Sequence, residues 1–93
     1  MASSLYFYLQ DPSHGWMAVP IKDILELGVE NDVTPYSYMN ETAAYLEEDV
    51  DMPMFLRAYK LRYGHEPRIK DSYTHRDSLV RRLKPFAAPV QVS

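Results

Sequence analysis

The chain has 93 residues, a formal net charge of −3 and no cysteine. This length allows one domain over residues 1–93, and a hydrophobic share of 46% with 25% charged residues is typical of a folded chain. The absence of cysteine excludes a disulfide scaffold, thiol chemistry and cysteine-ligated metal sites. No signal peptide is recognisable, and no apolar run approaches the roughly 18 residues of a membrane-spanning helix. We therefore expect a cytoplasmic protein with no membrane partner.

Local patterns predict an α+β domain with a small, mainly antiparallel sheet. Side chains that alternate with a period of two indicate strands, and apolar residues that recur at spacings of three and four indicate helices. Asp51 is the expected N-cap of the longer helix, and Gly28 and Gly64 are suited to closing the two helices. The order β-β-α-β-β-α-β places both helices on one face of the sheet. The predicted elements are, in chain order, a strand at 5–10, a turn at 11–15, a strand at 16–20, a helix at 21–28, a hairpin around 40–41, a helix at 51–63, a strand at 68–73, a helical turn before Pro85 and a docked or frayed tail at 86–93.

Charge is distributed unevenly along the chain. Residues 1–56 contain ten acids and one base, whereas residues 57–93 contain nine bases and three acids. A bipolar chain of this kind indicates a charged partner, or two halves that neutralise each other in the fold.

The acidic side chains are densest just before the longer helix. Carboxylates near a helix N-terminus are stabilised by its partial positive charge, but one helix end requires only one cap and one or two neighbours. The others are solvated, paired with the basic half, or form a recognition patch for a surface rich in arginine and lysine. A calcium loop is not indicated, since the required alternating ligands and central glycine are missing. The run consists of Glu47, Glu48, Asp49 and Asp51.

The longer helix is apolar on two sides. One side has the spacing of a face that packs on the sheet, with Met52, Phe55, Leu56, Tyr59 and Tyr63. The second side is formed by Met54, Ala58 and Leu61. We expect this second stripe to be covered, because exposed apolar surface is costly. The chain's own tail could cover it with Phe86, Val90 and Val92, or the cover could be another protein or a second copy of this chain.

The basic half offers an alternative function. Arginines interleaved with tyrosines are typical of surfaces that contact phosphates and stack on bases. Nucleic-acid binding is the alternative prediction, although the overall acidity opposes it and no familiar nucleic-acid motif is present. Its candidate residues are Arg57, Arg62, Arg81 and Arg82.

No pattern indicates an enzyme, a cofactor or a metal site. His14, His65 and His75 are scattered and lack the spacing of helix-borne zinc ligands. His75 stands close in sequence to Asp77 and Ser78, but the members of a catalytic triad converge in space rather than along the chain. No glycine-rich phosphate loop or nucleophile elbow is present. Trp16 is predicted to be a core residue or a half-buried anchor.

Several short motifs resemble a group of small bacteriophage- and plasmid-encoded proteins of uncharacterised function. The similarity extends from residue 14 to about residue 56, and a weaker similarity is present at THRDS (74–78). Members of the group often have cysteine where this chain has Val50, so no thiol function is carried over. The motifs are HGW at 14–16, VP at 19–20, LG at 27–28, YSY at 36–38 and YLEED at 45–49.

This resemblance implies an origin on a mobile element and a bacterial host cell. Small acidic phage proteins often bind and block a host machine, including CRISPR surveillance complexes with basic nucleic-acid grooves, and an acidic patch suits such a groove. The sequence therefore predicts a non-enzymatic interaction module that binds a host protein or protein–RNA complex. The sharper hypothesis is that it inhibits a bacterial defence complex. The predicted contact residues are Glu47, Glu48, Asp49, Asp51, Met54, Ala58 and Leu61.

Overall fold

One mixed sheet and two helices make up the computed structural model, which describes residues 1–90. The spatial order of the strands is β5-β1-β2-β4-β3-β6, and all neighbours are antiparallel except β1 and β5. The α+β class and the predicted element order are confirmed, with one additional short strand. The elements are β1 (Leu5–Gln10), β2 (Gly15–Pro20), α1 (Ile21–Glu26), β3 (Tyr38–Met39), β4 (Ala43–Glu47), α2 (Asp51–Tyr63), β5 (Arg68–Tyr73), a 3-10 helix (Leu79–Arg82) and β6 (Lys84–Pro85).

The predicted turn at residues 11–15 joins β1 to β2. The Asp11 carboxylate accepts hydrogen bonds from the amides of Ser13 and His14 at 3.0 and 2.9 Å, which is the local bonding that favours aspartate in turns. The next residue, Gly15, has no side chain, and a Cβ atom at this position would collide with the Tyr8 hydroxyl.

Both predicted glycines follow a helix in the left-handed conformation: Gly64 is the C-cap of α2, and Gly28 comes directly after Leu27, the C-cap of α1, which ends at Glu26. Gly28 and Gly64 have φ angles of 68° and 80°, and the Gly64 amide donates to the Lys60 carbonyl at 2.8 Å. The start of α2 differs from the prediction. Val50 is the N-cap and Asp51 is the first helical residue, so the prediction that Asp51 caps the helix is wrong.

The core lies between one sheet face and the two helices. Tyr6 of β1 meets Phe55 and Tyr59 of α2 edge-on, with ring centres 5.5 and 6.1 Å apart. Ile24 of α1 is fully buried in the same cluster. The sheet side of the cluster consists of Tyr6, Met17, Val19, Met39, Ala44 and Leu46.

The second stripe of α2 is mostly covered by the chain itself. Met54 and Ala58 are half-buried against the core cluster, whereas Leu61 is 89% exposed. Of the three side chains predicted to meet a cover, tail or partner, only Leu61 is therefore left largely exposed.

The C-terminal segment joins the sheet instead of lying on α2. β6 pairs with β3, the Phe86 amide donates to the Ser37 carbonyl at 2.8 Å, and the Phe86 ring is buried in the core. Val90 is exposed, and Val92 lies outside the described residues. Over residues 1–90, neither helix has the length and apolar character needed to cross a membrane.

Candidate functional site

Three aspartates of the acidic half are buried and serve as anchors for loops. Asp51 accepts hydrogen bonds from the Thr34 amide and hydroxyl and from the Ser37 hydroxyl. It is fully buried, so it cannot belong to an exposed contact surface, and its predicted role in partner binding is corrected. Asp23 likewise accepts hydrogen bonds from the Ser3 amide at 2.9 Å and the Tyr6 hydroxyl at 2.8 Å.

Asp11 is the third buried aspartate and joins the two halves of the chain. The Arg81 guanidinium donates to both of its carboxylate oxygens, at 2.6 and 3.0 Å, and the Ser78 amide adds a bond at 3.0 Å. The hydrogen bond from Arg81 is the main reason that the pKa of Asp11 lies well below its usual value, and the turn amides contribute. The same bond raises the pKa of Arg81.

Glu47 organises the turn between β4 and α2. Its carboxylate accepts hydrogen bonds from the amides of Asp49, Val50 and Asp51 at 2.8, 2.6 and 2.8 Å. Amides at the beginning of a helix lack partners within the helix, so Glu47 supplies the cap that was expected from Asp51. Its charge is therefore directed mainly at the chain's own backbone.

Glu48 and Asp49 remain available to solvent. Both are exposed, and in the described part of the chain neither forms an ion pair with a lysine, arginine or histidine. One Glu48 oxygen accepts a hydrogen bond from the Tyr8 hydroxyl at 2.7 Å. Burial of the phenol, followed by this bond to Glu48, raises the pKa of Tyr8 to about 12, so Tyr8 stays a donor at neutral pH.

These two carboxylates border a pocket of about 380 Å³ with aromatic walls. The Trp16 ring is buried at its base, with the Tyr38 ring centre 6.3 Å away, and Tyr36 stands 82% exposed at the rim. The lining comes from four separate stretches of the chain. They contribute His14, Gly15, Trp16, Tyr36, Tyr38, Glu47, Glu48, Asp49, Val50 and, from the C-terminal half, Arg81.

The pocket already contains one cation on an aromatic face. The guanidinium carbon of Arg81 lies 5.3 Å from the Trp16 ring centre, within the range of a cation–π contact. Since the Arg81 charge is compensated by Asp11, the acidic rim keeps its own negative charge. We call this site the acidic–aromatic pocket.

Two of the four arginines predicted for nucleic-acid binding are bound to acidic residues of the chain. Arg81 is bound to Asp11, and Arg62 donates to the side chain and carbonyl of Glu26 at 3.4 Å. Arg57 lines a shallow depression whose wall includes Glu48. Arg82 is exposed. The two halves of the chain therefore partly neutralise each other, as one of the two sequence interpretations expected.

The pocket's aromatic wall was not predicted as part of a site. Trp16 was expected to be core or an anchor, and it is a buried residue, but nothing in the sequence placed Tyr36 and Tyr38 beside the acid run. The signal in the sequence that could have indicated this wall was the set of short motifs described above. HGW at 14–16, the two tyrosines of YSY at 36–38 and the acids at 47–49 line the same pocket.

Within residues 1–90, no group of three histidine or acidic side chains is arranged to hold a metal ion. Comparison of the chain with protein-family models, curated proteins and solved structures found no match in any of the three.

Proposed function

We propose that this protein is a non-enzymatic interaction module whose acidic–aromatic pocket binds an arginine or lysine side chain presented by a partner protein. The observation that carries the proposal is that Glu48 and Asp49, which form no ion pair within residues 1–90, stand beside an aromatic wall formed by Trp16, Tyr36 and Tyr38.

The chemistry of this pocket favours a cation with an apolar stem. Carboxylates form short, charge-assisted hydrogen bonds with guanidinium and ammonium groups, and aromatic faces attract the same cations. The methylene stem of arginine or lysine can lie along ring surfaces while its charged head reaches the acids. The Arg81–Trp16 contact is an example of this geometry within the chain.

The charge distribution supports a partner with an extended basic surface. Glu48 and Asp49 are exposed acids directly after β4, and complementary charge accelerates encounter between proteins. Arginine side chains are also frequent in the centres of protein interfaces. A groove that normally holds nucleic acid would present such side chains in number.

The sharper form of the proposal is that the partner is a bacterial defence or nucleic-acid-handling complex, which this protein inhibits in the host cytoplasm. It is supported by the resemblance to mobile-element proteins and by the exposed acids. Occupation of a basic groove by Glu48 and Asp49 would exclude the phosphates that the groove normally binds.

An affinity capture from bacterial lysate tests the proposal. The wild-type protein and a Glu48→Lys, Asp49→Lys variant are used as baits, and captured proteins are identified by mass spectrometry. We expect the variant to lose the specific partner, because cations at the rim repel a basic surface. Glu47 is not a suitable target, since its replacement would also disturb the turn before α2.

A matched variant separates the pocket from overall charge. Asp32→Lys with Glu41→Lys makes the same change in net charge at exposed positions outside the pocket lining. This variant is expected to retain the partner. Equal capture by the wild-type protein and the pocket variant would contradict the proposal.

A further inference from the structure

The two edges of the sheet are built differently. β6 forms one edge and has only two residues, Lys84 and Pro85. Because the Phe86 amide donates to the Ser37 carbonyl of the neighbouring chain segment, alternation along the strand directs Pro85 to the free edge, where it has no N–H to offer. Short strands and prolines hinder the pairing of another strand with an edge. This edge is therefore poorly suited to an additional strand.

β5 forms the other edge and has neither of these protective features. It pairs with β1 in continuous register over six residues, without a proline or a bulge. All six residues are exposed, and no strand lies beyond β5 within residues 1–90. The pairing with β1 is parallel. Strands of parallel sheets are normally covered on both faces, so a fully exposed parallel strand at an edge is unusual.

The backbone of β5 has unpaired hydrogen-bonding groups along its free edge. The amides of Arg68 and Thr74 donate to the carbonyls of Ser4 and Gln10, at 2.9 and 2.8 Å, so these two residues face β1. Successive residues of a strand direct their backbone groups to alternate sides, and every second residue between them therefore points away from β1. The N–H and C=O groups of these residues are the ones that pair with another β-strand. The residues are Ile69, Asp71 and Tyr73.

The side chains of β5 give this edge a pattern of charge and polarity. On the face away from the helices it presents two cations, Arg68 and Lys70. On the helix side it presents Ile69 and Tyr73, which are 38% and 57% exposed, with Asp71 between them. A complementary strand has acids beside the two cations, apolar side chains beside Ile69 and Tyr73, and a base beside Asp71.

We infer that β5 is a docking edge for an extended segment of a partner protein, which adds to the six-stranded sheet as a further strand antiparallel to β5. In this mode of recognition main-chain hydrogen bonds supply affinity and alternate side chains supply specificity. Antiparallel pairing is slightly more stable per residue than parallel pairing. The inference does not depend on the proposed function, because β5 contributes no residue to the acidic–aromatic pocket.

Self-pairing between the β5 strands of two copies is disfavoured by charge or by length in every two-fold register. An axis at Ile69 places Arg68 opposite Lys70 of the other copy. An axis at Arg68, Lys70 or Asp71 places that residue opposite itself, and like charges directly opposite each other are destabilising. An axis at Ser72 leaves only residues 71–73 of each β5 to pair. A segment of a different protein avoids both problems.

A peptide titration followed by nuclear magnetic resonance tests this edge. The probe is a capped peptide, Val-Thr-Lys-Glu-Val-Glu, whose residues match Tyr73 to Arg68 in antiparallel register. We expect saturable shifts and slower hydrogen exchange at the outward amides of Ile69, Asp71 and Tyr73. The intervening amides of β5 already face β1 and should respond little. A response with a period of two distinguishes strand addition from binding by charge alone.

Two N-methylated peptides of identical charge serve as matched probes. In antiparallel register the amides of the lysine and of the second valine point to β5, and those of the threonine and of the first glutamate point away. N-methylation of the first pair is expected to abolish the shifts, because it removes the donors that β5 would bind. N-methylation of the second pair is expected to preserve them.

Three protein variants complete the test. Asp71→Pro removes an outward N–H without affecting the pairing with β1, and is expected to abolish binding; near-ultraviolet circular dichroism verifies that it is folded. Lys70→Glu is expected to weaken binding of the probe roughly threefold to tenfold, and a peptide with lysine in place of the first glutamate should restore it. Glu48→Gln with Asp49→Asn alters the acidic–aromatic pocket and should bind the probe like the wild-type protein, which separates this inference from the proposed function.

The inference is overturned if the unmodified probe gives no saturable shifts, or if the shifts are uniform along β5 or centred elsewhere. Equal binding of the two N-methylated peptides, or wild-type binding by folded Asp71→Pro, would also overturn it. A dimer of the isolated wild-type protein in light scattering that is lost in Asp71→Pro would overturn it too, because the occupant of the edge would then be a second copy of this chain.

Discussion

The buried aspartates and the exposed acids of the pocket rim have the same chemistry and opposite surroundings. Asp11, Asp23 and Asp51 are enclosed and receive several hydrogen bonds each, from backbone amides, hydroxyls or a guanidinium. Glu48 and Asp49 are exposed and form no ion pair within residues 1–90. The acidic residues of one sequence therefore have two roles. Some stabilise the fold and others are available for recognition, and only the structure shows which role each residue has.

The largest expected difference between the two groups is in stability. Asp51→Ala removes the acceptor for the Thr34 amide and two hydroxyls in a buried site, so we expect a loss of about 3–5 kcal/mol in the free energy of unfolding. Asp49→Ala, two residues away and exposed, is expected to change it by less than about 0.5 kcal/mol. Urea unfolding followed by circular dichroism measures both. Similar values for the two variants would show that the burial of Asp51 contributes little.

The Asp11–Arg81 contact is expected to have a smaller and more local effect. Arg81→Ala releases residues 74–83 from the β1–β2 turn and uncovers Trp16, the one tryptophan of the chain. The fluorescence emission of Trp16 should shift to longer wavelength, and amide hydrogen exchange at Ser78 and Val80 should accelerate. Arg82→Ala, which alters the exposed neighbour, serves as the control and should leave both signals unchanged. An unshifted emission in Arg81→Ala would mean that the contact does not hold this segment in place.

The response to acid should also distinguish the two groups. The pKa of Asp23 is lowered: burial alone would raise it, but this is outweighed by hydrogen bonds from the Ser3 amide, Lys22 and Tyr6. Because the pKa is lower in the folded than in the unfolded protein, the stabilisation is complete above the unfolded value of about 3.9 and is lost as the pH falls through the folded value. The pKa of Asp11 is shifted in the same direction, with the same consequence.

We therefore expect a melting temperature that changes little between about pH 7 and pH 5 and falls below about pH 4. Asp23→Asn should lower the melting temperature at neutral pH and make the acid-induced decrease shallower. Asp49→Asn should leave the slope unchanged. An identical slope in the wild-type protein and Asp23→Asn would contradict the contribution of Asp23.

Local sequence signals predicted the parts of the fold that depend on neighbouring residues. The helix at 51–63, its end at Gly64 and the hairpin turn at 11–15 are confirmed, because glycine and aspartate act there on the backbone next to them. The parallel pairing of β1 with β5 joins residues more than 60 positions apart, and no local pattern encodes such a contact.

The site was only partly predictable for the same reason. The acid run drew attention to residues 47–49, and two of these three are exposed. The aromatic wall is assembled from residues 14–16 and 36–38 by the pairing of β2 with β4 and β3 with β4. The burial of Asp51 could not be foreseen, because a helix N-terminus tolerates the same carboxylate in solvent.

The central claim is that the acidic–aromatic pocket binds a cationic side chain, and a nuclear magnetic resonance titration tests it most directly. A capped arginine-rich peptide is added to ¹⁵N-labelled protein, and the indole N–H signal of Trp16 is followed together with the amides of Glu48 and Asp49. We predict saturable shifts concentrated at these three residues in the wild-type protein and largely absent in Glu48→Gln, Asp49→Asn. Shifts that are equally large in this variant, or that are centred elsewhere on the surface, would contradict the account.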